Sequence, residues 1–188
     1  MRIIAGQYRH RPLRSLPAVN LRPTSDHLRE TLFNVLAASR TLEASVWLDL
    51  FAGTGAVGIE AISRGARQVY FVESDRKHAR LLRENLSSLK ITAGCDLYEG
   101  NVASALHSLD ASGVICDFCF LDPPYAMQSA YERTLEFLGK SRLVGSRTIV
   151  IAEHEKRFDP GQTFGALARY RTIVQGDGRL SLYRATIS

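Results

Sequence analysis

Two short sets of residues in this 188-residue chain have the types and spacing to do chemistry. The first is Asp49-Leu50-Phe51-Ala52-Gly53-Thr54-Gly55-Ala56-Val57-Gly58, whose three glycines fit the pattern G-x-G-x-x-G, followed by Glu73 twenty residues after Gly53. Glycines permit a tight turn and let a ligand approach bare backbone at a helix N-terminus. An acid at the end of the next strand accepts hydrogen bonds from ribose hydroxyls. The pattern points to a nucleoside-bearing ligand, with a purely structural turn as the bland alternative. The second set is Asp122-Pro123-Pro124-Tyr125. Two prolines in succession continue neither a helix nor a central strand, so they stiffen the backbone beside Asp122. The carboxylate and a proline carbonyl can accept both N–H bonds of an exocyclic amine on a planar ring, and Tyr125 can stack on that ring. The bland alternative here is a rigid turn after a strand.

Charge separates the nucleosides that the glycine loop could hold. A dinucleotide would set its pyrophosphate against the loop, where Asp49, four residues before Gly53, would repel it. S-adenosylmethionine has no pyrophosphate and ends in an amino-acid tail whose ammonium suits Asp49, directly or through water. A plain loop hydrogen bond is the competing role for Asp49. An aryl amine is a poor nucleophile because its lone pair is delocalised into the ring. Holding both hydrogens on acceptors favours a pyramidal nitrogen, and transfer then becomes an in-line displacement governed by positioning and electrostatics.

These sets need a frame that brings them to one edge. Hydrophobic patterning predicts strands at 46–51, 68–73, 96–99, 115–121 and 148–153 and helices at 56–63, 76–89, 102–109 and 130–138. Such alternation calls for a parallel sheet covered on both faces. Segments 167–174 and 180–185, joined by the turn-rich Gln175-Gly176-Asp177-Gly178-Arg179, predict a closing antiparallel hairpin. The expected fold class is therefore α/β, Rossmann-like, with a mostly parallel seven-stranded sheet. Upstream, Thr24-Ser25-Asp26 offers a helix N-cap before Leu28, Leu32, Val35 and Leu36 at helical spacing. Residues 1–22 predict a short hairpin or an extended arm. The expected division is an N-terminal basic extension and helix, 1–40, packed on a catalytic domain, 41–188.

Composition sets the class. The net charge is +5, 45% of residues are hydrophobic, and all but four of the 24 basic residues are arginine. Such a chain buries a real core without a metal or disulfide staple and is not disordered. It has neither a membrane-spanning stretch nor a secretory h-region, so a cytoplasmic protein is expected. Of its three cysteines, Cys116 and Cys119 fall on a predicted strand, where residues three apart point to opposite faces, so no shared metal is expected. Arg2, Arg9, Arg11, Arg14 and Arg22 all precede the first acid, Asp26. Arginine forks bind phosphate and stack on bases, so this head suits a nucleic acid, against the alternative of a solvated arm.

The segments LDLFAGTGAVGIEA (48–61) and LDPPY (121–125) resemble the cofactor loop and catalytic tetrapeptide of class I amino-methyltransferases. RPTSDHLRETLFN (22–34), with the start MRIIAGQYRHRPL, resembles the RsmD family of bacterial 16S rRNA guanine-N2 methyltransferases, over essentially the whole chain. The resemblance implies methyl transfer from S-adenosylmethionine to the N2 amine of one guanine in 16S rRNA, with the assembled small subunit as substrate and a monomeric, metal-free enzyme. Asp122, Pro123, Pro124 and Tyr125 would be catalytic. Thr24, Asp49, Phe51, Gly53, Gly55, Glu73, Ser74 and Asn101 would hold the cofactor, Glu73 and Ser74 at ribose and adenine and Asn101 at adenine, where many methyltransferases have Asp. Arg9, Arg11, Arg14 and Arg22 would grip RNA. The tetrapeptide is shared with adenine-N6 and cytosine-N4 enzymes, so a DNA adenine-N6 methyltransferase is the alternative. Such an enzyme needs a sizeable region to read a groove, and few residues lie outside the core here. A nicotinamide-dependent dehydrogenase fits the glycine loop and Glu73 but not Asp49 or the Pro-Pro segment. A cytosine-C5 enzyme needs a Pro-Cys nucleophile, which is absent. A noncatalytic RNA-binding protein would have no use for the cofactor loop and Asp122 together.

Overall fold

The computed structural model describes residues 1–16, 26–124 and 127–186. The elements run α1 (Asp26–Ser39), β1 (Val46–Leu50), α2 (Ala56–Ser63), β2 (Gln68–Glu73), α3 (Arg76–Ser88), β3 (Cys95–Glu99), α4 (Val102–Ala111), β4 (Cys116–Leu121), α5 (Gln128–Leu138), β5 (Val144–Glu155), β6 (Thr163–Phe164), β7 (Leu167–Gln175) and β8 (Gly178–Ala185). All the strands form one sheet in the order β3-β2-β1-β4-β5-β8-β7-β6. Strands β1 to β5 pair in parallel, whereas β8 runs antiparallel to β5 and β7. From β1 the chain steps outward to β2 and β3 and then returns to β4. The loops leaving β1 and β4 therefore diverge at the carboxyl edge, the crevice where open α/β sheets bind ligands.

Each face of the sheet carries its own core. Trp47, Phe71, Phe118, Phe120, Ile149 and Ile151 share one cluster with Leu28, Leu32, Phe33 and Leu36 of α1 and with Leu82 and Leu86 of α3. Leu48, Leu50, Cys119, Leu121 and Val150 pack on the other face with Leu106 of α4 and Leu135 of α5. Trp47 stacks between Phe33 and Phe118, with ring centroids 5.3 Å and 4.5 Å away, which fixes α1 across the centre of the sheet.

Of the two alternatives for the head, the chain forms the hairpin. The Ile3 N–H donates to the Arg11 carbonyl and the His10 N–H to the Ile3 carbonyl. The hairpin is docked: the Ile4 and Ala5 N–H groups donate into the buried Glu60 carboxylate of α2 at 2.8 and 3.1 Å. Ile3 and Leu13 are buried in the same cluster as α1.

Three expectations need correction. The sheet gains an eighth strand, the two-residue β6, which is too short to show any alternation in sequence. The predicted strand 46–51 ends at Leu50, because Phe51 turns to φ 63°. Cys116 and Cys119 do not face opposite ways. Both buried thiols lie in one cluster, at the start of β4 where its pairing with β5 is irregular and the surplus residues, 145–148, fall on β5. Burial pushes the Cys116 thiol up to about 12, so it stays protonated, and its Sγ lies 3.2 Å from the Leu143 carbonyl. Among the described residues no group of three or more His, Cys, Asp or Glu side chains could hold a metal ion, and no helix is long and apolar enough to cross a membrane.

Candidate active site

The loop from β1 to α2 is built on backbone that L side chains rarely adopt: Phe51, Gly53 and Gly55 have φ of 63°, 56° and 77°. The three motif glycines serve different purposes. A Cβ on Gly55 would lie 2.1 Å from Leu82 Cδ1, and one on Gly58 would lie 2.2 Å from Phe71 Cε1, so both permit close packing of protein on protein. A Cβ on Gly53 would meet nothing nearer than the Phe51 carbonyl at 4.0 Å, so the space over the loop at Gly53 is open to a ligand. Gly58→Ala separates these roles. In an ordinary helix interior the change is stabilising, but overpacking against the fully buried Phe71 reverses the sign, and a net loss of about 1–3 kcal/mol is expected in denaturant unfolding.

Two carboxylates hold this loop. Glu73, at the end of β2, accepts from the Gly53 N–H at 2.8 Å and from the Asp75 N–H at 2.7 Å. Asp49 lies buried in β1 and accepts from the Gly58 N–H at 2.8 Å, so it caps the first turn of α2 from below. That contact is the loop-hydrogen-bond role weighed for Asp49, and it engages one carboxylate oxygen, Oδ2. Burial, with a lesser contribution from the Glu73 charge and opposed by the Gly58 N–H, raises the Asp49 pKa from 3.8 to about 7.

Asp122 follows β4 on the strand adjacent to β1, with Leu50 opposite Leu121 in register. Pro123 is buried and Pro124 exposed. Alternation puts Asp49, Glu73, Asp122 and Glu153 on the face that also carries Trp47, Phe71, Phe118 and Ile151, all at the carboxyl edge. Burial first, then the Glu153 and Asp49 charges, raises the Asp122 pKa well above the usual carboxylate range. A carboxylate in that state is a better proton acceptor than an exposed one.

The remaining sites divide. Ser74 is exposed just beyond Glu73. Asn101 caps α4, its Oδ1 accepting from the Ser104 N–H at 2.8 Å, and Gly100 before it donates to the Glu73 carbonyl at 3.0 Å. Arg9, Arg11 and Arg14 are exposed on the head. Arg14 has no acid near it in sequence, yet it pairs with Glu84 of α3 at 3.2 Å, and Arg11 donates to the Ser88 carbonyl at 3.2 Å. Thr24, Tyr125 and Arg22 lie outside the described residues. Two residues of the edge escaped sequence reading. Asn85 donates to the Thr54 and Arg14 carbonyls at 2.9 and 3.1 Å, joining the glycine loop to the head. Glu153 is a buried acid within β5, and its place directly after the apolar run Thr148-Ile149-Val150-Ile151-Ala152 was the signal available.

This strand order, with a glycine loop after β1, an acid ending β2 and an Asp-Pro-Pro segment after β4, defines a class I methyltransferase. Within that class the chain matches a family model described as Conserved hypothetical protein 95 over residues 1–184, and it belongs to that family, the RsmD family. It is 37% identical over 161 residues to the Haemophilus influenzae ribosomal RNA small subunit methyltransferase D, covering 83% of this chain and 79% of that one. A solved structure, the hypothetical protein TTHA0928 from Thermus thermophilus, superposes with a TM-score of 0.81 at 29% identity, covering 97% of this chain and 98% of that one. At the level of fold alone, an RNA methyltransferase from Salinibacter ruber, solved with S-adenosyl-L-homocysteine, superposes at a TM-score of 0.66 and 18% identity over 87% of this chain and 94% of its own.

Proposed function

We propose that this protein transfers a methyl group from S-adenosylmethionine to the N2 amine of a guanine in 16S rRNA, acting on the assembled small ribosomal subunit as a cytoplasmic monomer. The observation that carries the reading is the juxtaposition, on adjacent strands of one sheet edge, of an open glycine loop and the Asp122-Pro123-Pro124 segment. The names of the relatives support rRNA as the substrate.

The residues present fit the cofactor: Gly53 leaves room, Asp49 offers a buried carboxylate to an ammonium, and Glu73 lies beside the loop for ribose hydroxyls. Asn101 keeps an amide nitrogen for adenine while its oxygen caps α4. When bound, the cofactor supplies an electrophilic methyl on a sulfonium. Asp122 and the neighbouring proline carbonyl accept the two amine hydrogens and aim the nitrogen lone pair. The methyl would leave that sulfur, as a neutral thioether, for the amine nitrogen, and Asp122, whose raised pKa suits it to receive a proton, would take the one the methylated amine sheds. Mass spectrometry of rRNA from cells lacking the protein tests the reading. Loss of one N2-methylguanine is expected, whereas loss of N6-methyladenine from DNA would favour the adenine enzyme instead.

A guanine amine in paired RNA is out of reach, so the target is a loop or a flipped nucleotide and the enzyme needs a grip on the surrounding backbone. Neutralising Arg9, Arg11, Arg14 and Arg22 together should raise KM and lower the slope of log K against log salt by about one for each phosphate no longer bound. Binding measured across a salt series checks this. An unchanged slope would leave the head with its structural role on α2 and α3 alone.

A further inference from the structure

The residue beside Asp122 is Glu153. Leu121 of β4 is in register with Ala152 of β5, so the next residues, Asp122 and Glu153, lie side by side on neighbouring strands about 4.8 Å apart. They share a face, because Phe118 and Phe120 pack in one cluster with Ile149 and Ile151 and the alternation continues to the edge. Glu153 is 6% exposed. Its backbone is held from the other face: the Tyr131 hydroxyl donates to the Glu153 carbonyl at 2.6 Å, and the next residue, the buried His154, bonds Ser181 Oγ through Nε2 at 2.9 Å. β5 therefore places a buried acid on a fixed backbone next to the group proposed to hold the amine.

The bases differ at the atom adjacent to the amine. In guanine the N2 amine sits beside N1–H, so the edge offers donors at two neighbouring positions. In adenine and cytosine the exocyclic amine sits beside a ring nitrogen with a lone pair. An ionised carboxylate only accepts, so beside Asp122 it would bind N1–H and repel a lone pair. Resting on the guanine reading above, we infer that Glu153 is the specificity-determining residue that accepts the guanine N1–H while Asp122 accepts from N2. No bond to N1 is made or broken.

The test compares reconstituted small subunits carrying guanine or 2-aminopurine at the methylated nucleotide. 2-Aminopurine keeps the C2 amine but has a lone pair at N1. The wild-type enzyme should prefer guanine in kcat/KM by about a hundredfold or more, since a site built to bond an N–H rejects the analogue that lacks it. In Glu153→Gln the preference should shrink to within about tenfold, because a carboxamide can turn its NH2 toward N1. Should Glu153→Gln fail to unfold cooperatively, Glu153→Asp, which draws the acceptor back by one methylene, should slow guanine and leave 2-aminopurine unchanged. Equal use of both bases by wild type overturns the inference, as do variants that slow both bases alike. No methylation of guanine by wild type would overturn the parent reading itself, and that outcome is distinguishable from the others.

Discussion

Asp122→Ala will leave S-adenosylmethionine affinity within a few-fold of wild type and lower turnover by about a hundredfold or more, the scale of losing one pre-organised transition-state interaction. The separation follows from placement. Asp122 follows β4, whereas the loop, Asp49 and Glu73 stand on β1 and β2 and hold one another without it. Asp122→Asn refines the result, since an amide still accepts a hydrogen bond but cannot take the departing proton. Because burial and the Glu153 and Asp49 charges raise the Asp122 pKa, turnover in wild type should climb with pH through an inflection above the ordinary carboxylate range, and Asp122→Asn should lose that inflection. Calorimetry and single-turnover rates measure the two halves. A collapse of cofactor affinity in step with turnover would move Asp122 into the cofactor site.

Asp49→Asn should move stability and affinity in opposite directions. The Asp49 pKa rises from 3.8 in the unfolded chain to about 7 in the fold, so between those values the native state holds a proton that the unfolded state has released. Stability from this group is complete below about pH 4 and is lost as pH rises through about 7. An asparagine carries no charge to bury and its Oδ1 can still accept from the Gly58 N–H, so at pH 8 the unliganded variant should gain on the order of 1–3 kcal/mol. Its pH dependence over that window should flatten. Cofactor affinity should fall by about ten- to a hundredfold through loss of the charge-assisted bond to the ammonium. Urea unfolding at pH 5 and pH 8, with calorimetry for the ligand, checks both. Unchanged affinity would reduce Asp49 to the cap of α2.

What the sequence alone determined is local. The glycine loop and Glu73 were legible because a turn of that kind demands glycine and because the spacing of one strand-helix-strand unit carries the acid to the next strand end. Asp122-Pro123-Pro124 was legible because proline restricts its own backbone wherever it stands. Alternation of patterns was enough for the α/β class, and the closing hairpin could be read from its turn residues, Gly176 indeed taking φ 59°. Tertiary structure decided whatever depends on which strands become neighbours. Residues 122 and 153 are far apart in sequence and meet only because β5 pairs with β4 on the side away from β1. Cys116 and Cys119 meet in one buried cluster at a stretch where β4 and β5 pair irregularly, which no local pattern announces. The head could be read as a basic hairpin or an extended arm with no acid near it in sequence, but not as docked: Glu60, Ser63 and Asn85 tie down its backbone and Glu84 takes Arg14. Periodicity reports which face of an element is apolar, but a buried acid or amide finds its partner across the sheet, and that choice is made when the elements pack.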